Sequence, residues 1–76
     1  MKKIDRKKLQ NIITHVINSQ YASFEEKDII AQVKCELNEK DYKEKELIDL
    51  VERTLSILES YGIIVRIENA AFRFRV

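Results

Sequence analysis

The chain has 76 residues, of which 45% are hydrophobic and 36% charged, with a formal net charge of +1. This length leaves room for one domain, predicted over residues 1–76, and the composition excludes an intrinsically disordered chain. No proline and a single glycine favour long helices over many short strands. The lone Cys35 precludes an internal disulfide, and no apolar run approaches membrane-spanning length, so we expect a cytoplasmic protein with no membrane partner.

The first predicted helix runs from about Asp5 to Ser19, with Asp5 as its N-cap. Its apolar side chains follow the three-and-four spacing of a single stripe: Leu9, Ile12, Ile13, Val16 and Ile17. The second helix is predicted from Ser23 or Phe24 to about Glu36, because Ser23 and Glu26 match the capping-box spacing. A polar turn over residues 38–43 follows, with Tyr42 expected against the core.

The third predicted helix runs from about Lys43 to Tyr61, where Gly62 supplies the left-handed conformation that ends a helix. Its apolar residues cover almost half of the circumference: Leu47, Ile48, Leu50, Val51, Leu55, Ile57 and Leu58. Residues 63–76 then alternate, which predicts a β-hairpin. A two-residue loop at residues 69–70 would bury the pairs Ile67–Phe72, Val65–Phe74 and Ile63–Val76. It would set Arg66 opposite Arg73, and Ile64 opposite Arg75, on the other face.

Three helices, a glycine-terminated turn and a C-terminal hairpin resemble the winged helix-turn-helix superfamily. The resemblance is carried by residues 24–30, FEEKDII, and residues 51–64, VERTLSILESYGII. The second run is similar to the third helix and first wing strand of winged-helix repressors, including the DNA-binding half of ferric uptake regulators. The predicted fold class is therefore mainly α with a C-terminal β-hairpin. The resemblance implies that the third helix enters a DNA major groove while the hairpin reaches phosphate or the minor groove.

Charge is distributed unevenly along the chain. Residues 25–60 carry eleven acids against six bases, whereas both ends are basic. The outward face of the third helix holds four acids and two bases: Lys45, Glu46, Asp49, Glu52, Arg53, Ser56, Glu59 and Ser60. This acidic face departs from the winged-helix pattern, because DNA repels carboxylates. The candidate nucleic-acid-binding residues are the basic ones: Lys2, Lys3, Arg6, Lys7, Lys8, Lys45, Arg53, Arg66, Arg73 and Arg75.

Catalytic and cofactor motifs are not evident in this sequence. His15 falls on the polar side of the first helix without a second metal ligand at a suitable spacing. One glycine cannot form a glycine-rich phosphate loop. The aromatic residues are interpreted as core or rim packing: Tyr21, Tyr42, Tyr61, Phe24, Phe72 and Phe74. We therefore predict a protein that is not an enzyme and uses no cofactor or metal.

Two functions stay open at this stage. One is a nucleic-acid-binding winged helix, a small DNA-binding transcriptional regulator that grips phosphates through its basic N-terminus and wing. The alternative is a protein-interaction winged helix whose acidic third helix docks on a basic protein partner. The sequence also allows a homodimer, because four apolar residues lie at the margins of the apolar stripes: Ile17, Ile30, Ile48 and Ile64.

Overall fold

Three α-helices and a three-stranded antiparallel sheet make up the computed structural model, which describes residues 4–68 and 70–75. The order is α1 (Arg6–Asn18), β1 (Phe24–Glu25), α2 (Glu26–Cys35), a 3-10 turn (Glu39–Asp41), α3 (Glu44–Ser60), β2 (Ile64–Arg66) and β3 (Ala71–Phe74). The predicted mainly helical fold with a C-terminal hairpin is confirmed. Within the described residues, no helix is long and apolar enough to cross a membrane.

The start of α1 is as predicted, whereas the start of α2 is not. The Asp5 carboxylate accepts a hydrogen bond from the Lys7 backbone N–H at 3.1 Å, as an N-cap does. Helix α2 begins two residues later than the Ser23 cap would place it. Its cap residue is Glu25, whose backbone N–H donates to the Asp28 carboxylate at 3.0 Å.

The later start of α2 has a tertiary cause, because the two preceding residues form β1. Phe24 pairs with Phe72 and Glu25 with Ala71, so β1 lies along one edge of β3. The Phe24 ring is 3% exposed and its centroid lies 6.1 Å from that of Phe72. Strand β1 was not predicted, since its partner is more than forty residues away and leaves no local period.

One hydrophobic core joins the three helices to the inner face of the sheet. Its buried members are Leu9, Ile13, Val16, Ile17, Phe24, Ile29, Val33, Leu47, Leu50, Val51, Leu55, Ile64 and Phe72. Tyr42 packs against this core, as expected. Helix α3 ends one residue before the predicted Tyr61, and Gly62 follows with a φ of +75°, the left-handed value expected of it.

The hairpin forms, but its register differs by one residue from the prediction. Ile64 pairs with Phe74, Val65 with Arg73, and Arg66 with Phe72. The Ile67 N–H donates to the Ala71 carbonyl, so three residues rather than two separate the strands. A one-residue shift exchanges the faces of one strand. Ile64, rather than Ile63, Val65 and Ile67, is therefore fully buried, and Arg66 is not opposite Arg73. The predicted Ile63–Val76 pair involves a residue outside the described ranges.

Several apolar residues are placed differently from the prediction. Ile17 and Ile64 are core residues, so they cannot mark a dimer margin. Tyr21 and Tyr61 are 104% and 77% exposed, which rules out core packing, and Ile57 is 48% exposed. These exposures follow from position, because the tyrosines lie just outside the ends of α1 and α3.

Candidate functional site

An open cleft of about 330 Å³ lies where the start of α2 faces the hairpin. Its lining residues are Glu25, Glu26, Lys27, Arg66, Ala70 and Phe72. Two acids of α3, Glu52 and Glu59, contact these lining residues. We call these eight residues the acidic cleft. They come from α2, α3 and the hairpin, so the cleft exists only in the folded chain.

Arg66 is held within the acidic cleft by contacts that include an ion pair with Glu59 and a ring contact with Phe72. Its guanidinium forms an ion pair with the Glu59 carboxylate, with Nη2 and Oε1 3.4 Å apart. The guanidinium carbon also lies 4.6 Å from the centroid of the Phe72 ring, within the range of a cation–π interaction. Arg66 therefore anchors the hairpin to α3, although it was predicted on the opposite face of the hairpin beside Arg73.

Glu26 and Glu52 bring two carboxyl groups together at the edge of the cleft. Burial raises the pKa of Glu26 above its ordinary value, and the charge and hydrogen bond of Glu52 raise it further, while Arg66 acts in the opposite direction. A hydrogen bond between two carboxyl groups requires a proton on one of them. The pair is a site where an added cation would relieve repulsion.

The acidic cleft carries an excess of negative charge. Its four carboxylates belong to Glu25, Glu26, Glu52 and Glu59, and its two cations are Lys27 and Arg66. Both cations form ion pairs with cleft acids, Lys27 with Glu25 at 3.8 Å and Arg66 with Glu59. The acids that remain continue along α3 through Asp49, which is exposed, and Glu46, which is half-buried. The outward face predicted for α3 is thus observed.

The basic residues predicted to bind nucleic acid do not form one patch. Arg6, Lys7 and Lys8 are exposed in the first turn of α1, near the start of α3, because the Ile4 N–H donates to the Asp41 carbonyl at 2.7 Å. Arg73 and Arg75 are exposed beyond the end of α3. The first group belongs to α1, whereas the second belongs to β3 and the residue after it. Lys2 and Lys3 lie outside the described residues.

Lys45 and Arg53 are both exposed on α3, as predicted, and each has acidic neighbours in sequence. No ion pair with an Asp or Glu is formed by either in the described part of the chain, where the paired lysines and arginines are Lys27, Lys34 and Arg66. They are therefore open to solvent, but on a face dominated by carboxylates.

Glu25, Glu26 and Lys27 were not predicted as site residues. The acids at the start of α2 are also accounted for by the helix dipole, which favours negative charge there. Their second role depends on the shifted hairpin register, which brings Arg66 and Phe72 to face them. Phe24 offered one sequence signal for β1. It is an aromatic residue directly ahead of a helix, and aromatic residues are common in strands.

His15 and Cys35 are both exposed. Within residues 4–68 and 70–75, no group of three or more His, Cys, Asp or Glu side chains is arranged to hold a metal ion. Comparison with known proteins adds no assignment: no family model, curated protein sequence or solved structure matches the chain.

Proposed function

We propose that this chain is a protein-interaction module of winged-helix type, whose acidic cleft binds a Lys- or Arg-rich segment of a protein partner. The Glu26–Glu52 carboxyl pair carries this proposal. It concentrates like charge at the edge of a cleft whose own cations are already engaged. A cation supplied by a partner would restore the ionised pair and make charge-assisted hydrogen bonds to it.

The order of elements supports the winged-helix part of the proposal. A hairpin follows the glycine-terminated third helix, and α2 and α3 are joined by a short turn over Glu39–Asp41. In the usual docking mode of such folds, α3 would enter the DNA major groove, between two phosphate backbones. Here that face presents Asp49, Glu52 and Glu59, which favours a basic protein surface over DNA.

A second candidate function, a small DNA-binding regulator, is favoured by a different observation. Arg6, Lys7 and Lys8 are exposed together in the first turn of α1, close to the start of α3. They carry no ion pair with an acid among the described residues. Such a cluster, with Lys45 nearby along α3, could hold phosphates in a salt-sensitive and sequence-tolerant way.

A binding experiment with two fluorescent probes separates these functions. The probes are a dodecapeptide of alternating Arg and Gly and a random 20-base-pair DNA duplex, each titrated at low salt. We expect the peptide to bind, and the double substitution Glu26→Gln/Glu52→Gln to weaken it by about tenfold or more. The matched control, Glu36→Gln/Glu39→Gln, removes two exposed acids outside the cleft and leaves the peptide affinity unchanged.

Equal loss of affinity in both double variants would show a dependence on net charge alone and would overturn the cleft proposal. Duplex binding that falls steeply with salt and is lost in Arg6→Gln/Lys7→Gln/Lys8→Gln would support the DNA-binding candidate instead.

A further inference from the structure

A second surface, on the opposite side of the hairpin, combines exposed apolar residues with arginines. Among the described residues, the exposed large hydrophobic side chains are Tyr21, Ile57, Tyr61, Ile63 and Ile67. All but Tyr21 fall within eleven consecutive residues, from the last turn of α3 to the residue after β2. A concentration of exposed apolar area on a small protein commonly marks an interaction site.

The register of the hairpin places these residues on one face. Directly paired residues of an antiparallel ladder point to the same side, and alternate residues along a strand share a face. Val65 pairs with Arg73, and the Arg75 N–H donates to the Ile63 carbonyl. Ile63 and Ile67 therefore share the outer face with Arg73 and Arg75. Ile57 and Tyr61 are also exposed and lie one helical turn apart at the end of α3, shortly before Ile63 in the chain.

The arginines of this surface are available to a partner. Arg73 and Arg75 are both exposed, and neither forms an ion pair with an acid in the part of the chain that the structure describes. The Arg75 guanidinium lies beside Gly62, with Nη1 3.4 Å from where a Cβ would stand, so its charge lies close to the end of α3. Arginine and tyrosine are the residue types enriched at the energetic centres of protein interfaces.

We infer that Ile57, Tyr61, Ile63, Ile67, Arg73 and Arg75 form a docking surface for an acidic amphipathic helix of a protein partner. The two arginines would pair with carboxylates of the partner, and the isoleucines would pack against its apolar side chains. Nucleic acid would satisfy the arginines but leave the isoleucines in water, since its outer surface is phosphate and sugar.

A helix fits this surface better than an added strand does. The outer face offers side chains rather than backbone N–H and carbonyl groups, and strand addition needs the latter. Ile63 and Ile67 are four residues apart along a strand, about 13 Å. Apolar side chains two turns apart on a partner helix are spaced by about 11 Å, so one stripe can cover both isoleucines.

This surface is distinct from the acidic cleft but adjoins it at one edge, where Ile67 and Glu25 line the same small pocket. The cleft lies against the inner side of the hairpin, where Arg66 and Phe72 point, whereas the docking surface lies on the outer side. The two surfaces share no residue, and the arginines lie towards Ile63, whereas the acids Glu25 and Glu68 lie beside Ile67. A variant that loses one binding activity can therefore still be tested for the other. The inference does not rest on the proposed function.

The test uses a fluorescent 18-residue helical peptide with Leu at a four-and-three spacing and Glu at the flanking positions. Its control peptide has every Leu replaced by Gln. We expect the Leu–Glu peptide to bind, and Arg73→Gln/Arg75→Gln to weaken it by about tenfold or more. Ile67→Ser should also weaken it. Lys7→Gln/Lys8→Gln removes the same charge from α1 and should leave binding unchanged.

Three outcomes would overturn the inference. No binding of the Leu–Glu peptide at about 1 mM is the first. Equal binding of the Gln control peptide or of duplex DNA, with the same dependence on the arginines, would identify a basic patch without apolar recognition. Sedimentation showing a concentration-dependent dimer that Ile67→Ser abolishes would assign the surface to a second copy of this chain. Circular dichroism of each variant checks that the fold is retained.

Discussion

Thr54 is the buried polar side chain in the described part of the chain, at 8% exposure. Its hydroxyl donates to the Leu50 carbonyl at 2.7 Å and accepts a hydrogen bond from the Gln10 side-chain amide at 2.8 Å. The second bond crosses from α3 to α1. A single hydroxyl thus satisfies two polar groups at a helix–helix contact, where an unpaired amide would carry a desolvation cost.

We predict that Thr54→Val lowers the free energy of unfolding by about 1–2 kcal/mol. The substitution keeps the volume and β-branching but leaves the Gln10 amide without its buried acceptor. Urea unfolding followed by circular dichroism measures the change. Thr14→Val is the matched control, because the hydrogen bond from the same amide to the Thr14 hydroxyl is exposed and long, at 3.4 Å. It should change stability by less than about 0.5 kcal/mol, and an equal loss in both variants would contradict the prediction.

At the scale of elements, the Glu26–Glu52 carboxyl pair is one of the contacts between α2 and α3, beside their shared core and the Lys34–Glu44 ion pair. The pKa of Glu26 is raised by burial first and by Glu52 second. A carboxyl whose folded pKa is raised contributes stability at low pH, and that contribution is lost as the pH rises through the folded value. The contact between these helices therefore weakens towards neutral pH.

We predict that Glu52→Gln makes the chain more stable than the parent at pH 7, because it removes the like charge beside Glu26. The stability curves of the parent and of Glu52→Gln should converge at pH values below 4.5, the ordinary glutamate pKa, where Glu26 is protonated in both the folded and the unfolded state. Urea unfolding between pH 3 and 8 gives the curves, and an NMR titration should show the pKa of Glu26 falling. With Asp49→Asn as the control, the pKa of Glu26 should not move. A less stable Glu52→Gln chain at pH 7 would refute the argument.

The elements differ in how far they could be predicted. The helices follow from apolar spacing within one segment, so α1 and α3 lie within about one residue of their expected ends. Strand β1 and the hairpin register depend on contacts between distant segments. The run Ile63-Ile64-Val65 offers apolar residues to both faces, so either register buries an acceptable set. Contact of Ile64 with the helical core decides between them.

The candidate site also has a part that follows from local spacing and a part that depends on contacts between distant segments. The acidic outer face of α3 follows from a helical wheel and was predicted. The Glu26–Glu52 and Glu59–Arg66 contacts require the relative positions of α2, α3 and β2, about which a single sequence carries little information. Arg66 illustrates the consequence, since a one-residue register shift turned a predicted phosphate ligand into a partner of Glu59.

At the scale of the whole molecule, three phenylalanines connect residues near the start and end of the chain. The Phe24 ring lies 6.1 Å from Phe72 and 6.0 Å from Phe74. Phe72 is 3% exposed, whereas Phe74 is half-buried. A domain of this length has a total stability of about 4–11 kcal/mol, so a single large cavity is a substantial fraction of it.

We predict that Phe72→Ala lowers the free energy of unfolding by about 3–5 kcal/mol, because it leaves a cavity between the sheet and the rest of the core. It also removes the ring under the Arg66 guanidinium. Phe74→Ala should cost less, since part of that ring is already in water. Thermal and urea unfolding by circular dichroism measure both. Equal losses in the two variants would contradict the expectation that the more buried ring contributes more to the free energy of unfolding.

The order of the sheet, β1-β3-β2, bears on how the chain acquires its structure during synthesis. The strand that emerges last occupies the centre, with both of its neighbours already made. Until residues 71–74 are available to pair, β1 and β2 have no strand between them, and Phe24 lacks the Phe72 ring beside it. The three-stranded sheet therefore forms only when β3 joins two strands that precede it in the chain.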